Sequence, residues 1–444
     1  MSERAKKSPT LRAALGVAGC LLVLLGMMIG SSVEAATLRK TAPEPAATLL
    51  LPYFEQDLVH PRGPSTVFSV NNAAPAAVLA HIVIWSDLSV PVLDFNIYLT
   101  GYDVQTINLR DLLVNGMLPQ TASAGQDPAD TISPKGVFSQ DINFASCTGI
   151  LPPPVLPASF IQHLQSSLTG RPSPLLNNLC AGRNLGDNVA RGYITVDTVS
   201  NCTLRFPGDV GYFGTNGDAT DQNVLWGDYF YINRLQGSAE GNPLVHIVAD
   251  AADPDTSTPG SYTFYGRYVG WSAADHRHPL GTNFAVRYVD GGTTNGTTSL
   301  VVWRDSKVSQ APFACPVTPS VRPAWYPLGQ EDIGIFDESE HVDIPQSFPV
   351  SPAPAPFFSP FPAESQRVAV GGPAFPVPFT SGWLYLNLNS TVTPAGSVPP
   401  SDPAAEQAWV SVKIGTGNSG TFTVGYDAIQ LDNASHANHT LLNP

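Results

Sequence analysis

The chain has 444 residues, with 22 Lys and Arg against 36 Asp and Glu and a formal net charge of −14. So acidic a surface repels phosphate backbones and anionic headgroups, which excludes nucleic acid and an anionic membrane surface as expected partners. Charged residues are only 13% of the chain, about half the usual share, beside an ordinary 43% of hydrophobic residues. The expected protein is globular, long enough for two or three domains, with a surface made polar by Asn, Ser, Thr and Gly.

The first 35 residues read as a secretory signal peptide. Arg4, Lys6, Lys7 and Arg12 form a positive head, residues 13–29 are apolar, and Ser31-Ser32-Val33-Glu34-Ala35 offers a small-residue cleavage site. Two other readings compete. The apolar run is 17 residues long, short of the ~20 of a membrane anchor. Val17-Ala18-Gly19-Cys20 has the form of a lipoprotein cleavage box, but Leu21 to Leu25 stay apolar where a lipoprotein turns polar. Removing residues 1–35 leaves a net charge of −16. No later stretch reaches the ~18 consecutive apolar residues of a span. Secretion or an envelope location (periplasmic, cell-surface or extracellular) follows as the expectation.

Export also explains the cysteines. Beyond the head stand Cys147, Cys180, Cys202 and Cys315, an even number that suits two disulfides in an oxidising compartment. Proximity in sequence pairs them as Cys147–Cys180 and Cys202–Cys315. No spacing is C-x-x-C, so neither a zinc site nor a thioredoxin-like centre is expected.

The first strand signals fall between residues 65 and 113. Residues 66–70 alternate and stop at Asn71-Asn72; residues 78–85 are an apolar, β-branched run. Residues 93–99 alternate strictly, with Leu93, Phe95, Ile97 and Leu99 on one face; residues 104–109 follow a Thr100-Gly101 turn. The run TVFSVNNAAPAAVLAHIVIW…LDFNIYLTGYDVQTINL is similar to the strand–turn–strand rhythm of immunoglobulin-like β-sandwich modules in secreted bacterial proteins. The resemblance covers residues 64–113. It lacks the Cys…Trp…Cys core of antibody domains, since no cysteine flanks Trp85, and it implies a scaffold and no particular chemistry.

Residues 116–190 read as an irregular insert. Its one helix, 157–169, starts at Pro157, carries Phe160, Ile161, Leu164 and Leu168 as an apolar stripe, and ends at Gly170. Strands are expected again at 192–199, 226–232, 244–249, 262–269, 284–289 and 299–303. Gly266-Arg267-Tyr268-Val269-Gly270 and Val286-Arg287-Tyr288-Val289-Asp290 echo each other as two sides of a hairpin. Residues 312–378 hold 15 prolines, with Pro352, Pro354 and Pro356 at alternate positions, the texture of an extended connector. Strands close the chain at 382–388, 408–414 and 420–431. The expected organisation is thus a signal peptide (1–35), an N-terminal sandwich (43–115), a helical insert (116–190), a second β domain (191–310), a proline-rich connector (311–378) and C-terminal strands (379–432) on one of the sandwiches. The fold class is mainly β, antiparallel sandwiches.

Candidate chemistry is sparse. His276 and His278 flank Arg277 and share a face if extended, and Gly270…His276-x-His278 is similar to the opening of the cupin metal motif. The glutamate that motif requires is replaced by Thr282 and Asn283, and Pro279 interrupts the strand, so two surface histidines are the competing reading and no cofactor is assigned. Asp250, Asp253 and Asp255 form one acidic cluster; Asp332, Asp337, Glu338, Glu340 and Asp343 crowd His341 in another. Neither has the spacing of a calcium loop, and the Gly214-to-Asn223 stretch GTNGDATDQN shares only its composition. There is no G-x-S-x-G elbow (Gly417-Asn418-Ser419-Gly420 has the wrong spacing), no H-E-x-x-H and no phosphate loop. Trp226, Asp228 and Phe230 alternate with Tyr229 and Tyr231, so only one set can face a glycan; Trp383 and Tyr385 offer a second aromatic piece. The expected function is a non-catalytic exported component with a protein or glycan ligand. The alternative is a secreted polysaccharide hydrolase whose two carboxylates are set by the fold.

Overall fold

The computed structural model describes residues 44–119, 121, 147, 150–272, 274–293, 295–306, 311–316, 328–329, 332–344, 360–389, 406–416 and 422–431. The expected signal peptide, Pro352, Pro354 and Pro356, and the Gly417-to-Gly420 turn lie outside the described residues. In chain order the strands are β1 (Thr48–Asp57), β2 (Pro64–Asn72), β3 (Val78–Ser86), β4 (Pro91–Leu99), β5 (Val104–Asn108), β6 (Val189–Val199), β7 (Leu225–Trp226), β8 (Asp228–Asn233), β9 (Ser238–Pro243), β10 (Val245–Ile247), β11 (Asn283–Val289), β12 (Gly296–Arg304), β13 (Asp332–Asp337), β14 (Val342–Asp343), β15 (Ser365–Val370), β16 (Ser381–Asn387), β17 (Ala408–Thr416), β18 (Phe422–Asp427) and β19 (Ile429–Gln430). Helices are short: α1 (Leu109–Leu113), α2 (Ala158–Leu168), and the single turns α3 (Pro254–Ser257) and α4 (Gly266–Val269). The protein is mainly β, as its alternating patterns require.

Four antiparallel sheets make two sandwiches. The first packs a sheet of order β10-β1-β6-β3-β4 on one of order β5-β2-β8-β9, with β7 beside β2. Leu49, Ile82, Ile84, Ile194 and Val196 of one sheet meet Phe68, Val70, Ile107, Tyr229 and Tyr231 of the other in a single core. The second packs β14-β13-β16-β11-β19 on β15-β12-β17-β18, with Val286, Ile335, Leu384 and Leu386 against Leu300, Val302, Val368 and Val410. The described residues form one compact unit.

The β1-β6-β3 sheet is covered on both faces. Its second face, carrying Leu50, Val83, Trp85 and Tyr193, is roofed by Phe264, Tyr265 and Leu280, and by Trp303 from β12. Trp85 stacks on Tyr193 at 5.7 Å and 5° and donates to the Thr195 hydroxyl at 2.9 Å. This double cover explains why β3, VLAHIVIWS, is buried at every position: a strand with no solvent face loses its period of two. By contrast β8 has one wet face. Tyr229 and Tyr231 are buried, while Phe230 is 46% exposed, as is Trp226 of the neighbouring β7 at 42%.

Several sequence expectations need correction. The boundary at 191 falls inside the first sandwich, because β6 pairs with both β1 and β3 and β8 pairs with β2. The expected connector contains β13, β14 and β15, all part of the second sandwich. The expected strand at 262–269 is instead a turn followed by α4, so the echo of Gly266-Arg267-Tyr268-Val269 and Val286-Arg287-Tyr288-Val289 is not a hairpin. β1 escaped the pattern reading because Pro52 interrupts it; the proline sits where the β1–β6 register shifts between Leu51 and Phe54, a bulge where the lost N–H costs no ladder bond.

The four cysteines do form two disulfides, but they pair as Cys147–Cys202 and Cys180–Cys315, with Cα atoms 4.9 and 5.4 Å apart. Sequence proximity misled because the fold places the cysteines: Cys180 bridges to Phe313, and Cys147 and Cys202 lie beside buried Leu79, Tyr98 and Val199. Helix α2 matches its expected stripe, with Leu164 and Leu168 buried and Phe160 and Ile161 against the first core. Gly170 ends it at φ +67°, and a Cβ there would stand 2.2 Å from the Arg183 carbonyl carbon. Only glycine fits that junction. No helix among the described residues is long and apolar enough to cross a membrane.

Candidate functional site

Residues 276–278 are extended around an isolated bridge, the condition under which the sequence reading put both imidazoles on one face. Arg277 bridges to Ala249, His278 donates its N–H to the Val248 carbonyl at 2.9 Å, and the His276 carbonyl accepts from Asp250 at 2.9 Å. Arg277 is 1% exposed, and His278 is buried too, at 7%, so of the two expected surface histidines only His276 is partly exposed. The histidines do not converge on a shared ligand. His276 Nδ1 lies 2.6 Å from Asp221 Oδ2, and His278 Nε2 lies 3.6 Å from Asp253 Oδ2. Among the described residues no group of three or more His, Cys, Asp or Glu is placed to hold a metal ion.

The inward arginine is the organising charge. Its Nη1 lies 3.3 Å from Asp275 Oδ1 and its Nε 3.6 Å from Asp197 Oδ1; Nε also donates to the Thr48 hydroxyl, and Nη2 to the Thr220 carbonyl at 3.0 Å. Asp197 accepts from the hydroxyls of Tyr212 at 2.6 Å and Tyr265 at 3.0 Å. Burial alone would lower the Arg277 pKa, but Asp197 and then Asp275 more than offset it and hold the guanidinium above its ordinary value. Burial raises the Tyr212 and Tyr265 hydroxyls well above theirs, and the Asp197 charge raises them further. Both stay neutral donors. A buried arginine with this many partners fixes the backbone on either side of it.

That fixed backbone floors a cleft of about 830 Å³, whose walls include Ser200, Asn201, Phe213, Asn216, Asp221 and Ser272. Most of the 214–223 stretch, singled out by its composition, forms one wall. It is pinned through its middle: Asp218 and Ala219 donate their N–H groups to the Gly211 and Tyr212 carbonyls at 3.1 and 2.8 Å, and Thr220 to that of Thr198 at 2.9 Å. Arg205 holds the Asp218 carboxylate at 2.6 Å. Gly214, at φ +112°, takes a turn few other residues adopt. Phe213 is half-buried in the wall, packed edge-on to Tyr212 at 4.9 Å and lying beneath the Arg277 guanidinium at 5.3 Å. Asp221 lies between His276 and Arg277, 3.9 Å from Arg277 Nη1.

The remaining candidates serve local structure. Asp253 caps α3 through the Asp255 N–H at 2.9 Å, and Asp250 accepts from Ala252. Asp337 accepts from the Ser339 and His341 N–H groups and meets His341 Nδ1 at 2.8 Å, while Glu338 pairs with Arg287 at 3.0 Å. Trp383 stacks on Phe336 at 4.3 Å, and Tyr385 is buried. At the seam between the sandwiches, Glu55 and Glu240 share the Arg367 guanidinium at 2.8 and 3.1 Å, and Lys413 adds a contact to Glu240 at 3.2 Å.

Arg277 was not picked out from the sequence, though a signal existed. In an extended Asp275-His276-Arg277-His278, Asp275 and Arg277 share a face opposite the histidines, the pattern of a buried ion pair. No family model, curated protein or solved structure matches this chain.

Proposed function

We propose that this is an exported, non-catalytic binding component of the cell envelope or extracellular space, built on immunoglobulin-like sandwiches and holding its ligand in the cleft at His276. The two disulfides and the expected signal peptide support export, since such bonds persist in oxidising compartments. The observation that carries the binding reading is how the cleft spends its charges. Asp221 is engaged by His276, and Arg277 is matched by Asp197 and Asp275. A carboxylate-bound imidazole can serve as a catalytic base, but nucleophilic catalysis needs a hydroxyl or thiol hydrogen-bonded to it. Among the described residues no serine, threonine or cysteine makes that bond to His276. Around the His276–Asp221 pair the cleft is a concave surface lined by amides and hydroxyls, which suits a binding site.

The test is to incubate the purified secreted protein with soluble and insoluble polysaccharides and with envelope extracts, measuring retention and the release of new reducing ends. Retention without turnover is the expected result. Sustained release of reducing ends, abolished with the protein's fold, overturns the reading in favour of a hydrolase.

A further inference from the structure

Resting on that reading, we infer that the ligand of the His276 cleft is a neutral oligosaccharide. Three observations select this chemistry. First, the cleft offers an anion no free cation: Arg277 answers to Asp275 and Asp197 and also faces Asp221, and Asp221 itself lies 2.6 Å from His276. With three carboxylates facing one guanidinium, an anionic ligand is disfavoured there. Second, the polar lining comes from Ser200, Asn201, Thr215, Asn216, Thr220 and Ser272. Amides and hydroxyls both donate and accept, which matches sugar hydroxyls, themselves donors and acceptors. Third, Phe213 supplies an apolar ring to that wall, held by Tyr212, Tyr265 and Arg277, so a sugar's C–H face has a surface that costs no ordering to present.

His276 adds direction. With Nδ1 turned to Asp221, its Nε2 is the nitrogen left for a ligand hydroxyl, and the Asp221 bond sets the tautomer. The volume of about 830 Å³ lies at the upper end of the roughly 300–1,000 Å³ typical of ligand clefts, room for more than one sugar ring.

The test uses the full secreted chain and four probes: maltotetraose, cellotetraose, chitotetraose and, as the charged control, tetragalacturonate. Binding is read by calorimetry, and each mixture is then analysed for shorter saccharides. At least one neutral probe binds and the galacturonate does not. Phe213→Ala weakens that binding at least tenfold. Because Phe213 also packs inward, Asn216→Arg is the second variant: the side chain is exposed, so the fold survives, and the added bulk and charge block the neutral probe. Failure of all three neutral probes, or preference for tetragalacturonate, overturns the inference. So does neutral binding indifferent to both variants, which leaves a binding protein whose site is elsewhere. Shortened products in the mixtures sink the non-catalytic reading instead, while the cleft keeps its ligand class.

Discussion

The Arg267 guanidinium, carried by α4, meets the Glu364 carboxylate at 2.5 Å across 97 residues of sequence. The same guanidinium lies 3.1 Å from Asp305 and donates to Ser89 and Ser306 at 2.8 and 3.0 Å. Ser89 belongs to the β3–β4 turn of the first sandwich, while Asp305 and Glu364 flank β12 and β15 of the second. One buried cation therefore ties the roof over the first sandwich to both bodies. Breaking a buried ion pair from one side costs about 3–5 kcal/mol, because the other charge is left uncompensated. Arg267→Met should lower the unfolding free energy by that amount, and adding Glu364→Gln should recover part of it. Chemical denaturation of the two variants measures both effects; a single-variant loss under about 1 kcal/mol contradicts the role.

Glu364 also gives the protein a pH dependence of known sign. One guanidinium serves two carboxylates here, and burial pushes the Glu364 pKa from 4.5 up to about 7, with Arg267 opposing and Asp305 reinforcing the shift. The folded state thus binds this proton more tightly than the unfolded chain. Its contribution to stability is fully present below pH 4.5 and is lost as pH rises to about 7. Relative to Glu364→Gln, which cannot ionise, the native protein should lose on the order of 3 kcal/mol across that window. Thermal melts of both proteins between pH 4 and 8 test this; parallel curves refute it.

How much of this was legible beforehand follows from where each signal resides. One-sided strands such as β8 announce themselves, because alternation survives wherever one face is wet, whereas β4 was legible from its alternating residue types although Asn96 and Tyr98 are buried as well. Strand β1 did not, since Pro52 reads as a break until the bulge at Leu51 and Phe54 is known. The domain boundary was illegible for a different reason: β6 is inserted between β1 and β3, a long-range pairing that leaves no local mark. The site was half visible. The His276/His278 pair and the 214–223 stretch drew notice for metal chemistry, yet their importance comes from Arg277 between the histidines and from Asp221 opposite, two charges whose meaning depends on what the fold buries.

The observed cystine pairing carries its own prediction. Cys147–Cys202 closes 55 residues and Cys180–Cys315 closes 135, so chain-entropy arguments give about 4 and about 5 kcal/mol respectively. Non-reducing peptide mapping should recover these two cross-links and neither of the sequence-adjacent pairs. Cys180→Ser with Cys315→Ser should cost at least as much stability as the corresponding change at Cys147 and Cys202. The longer loop is also the one whose Cys180 strand partner, Phe313, packs against the first core.

Strand β8 permits the sharpest contrast between neighbouring residues. The Tyr231 hydroxyl is buried, raised well above its usual pKa chiefly by that burial, and donates to the Tyr53 carbonyl at 2.6 Å; its ring also lies under Arg367 at 4.8 Å. Tyr231→Phe keeps the ring and removes only the donor, so a loss of about 1–3 kcal/mol is expected for the carbonyl left behind. Tyr231→Ala removes the ring as well and should cost about 3–5 kcal/mol. One residue earlier, Phe230 is 46% exposed and its ring covers Gly241, where a Cβ would stand 2.6 Å from it. Phe230→Ser gives up only that partial cover and should stay within about 1 kcal/mol of the native protein. Urea midpoints for the three variants decide the matter. Equal losses at 230 and 231 mean that the outer face of this sheet is covered by something other than solvent.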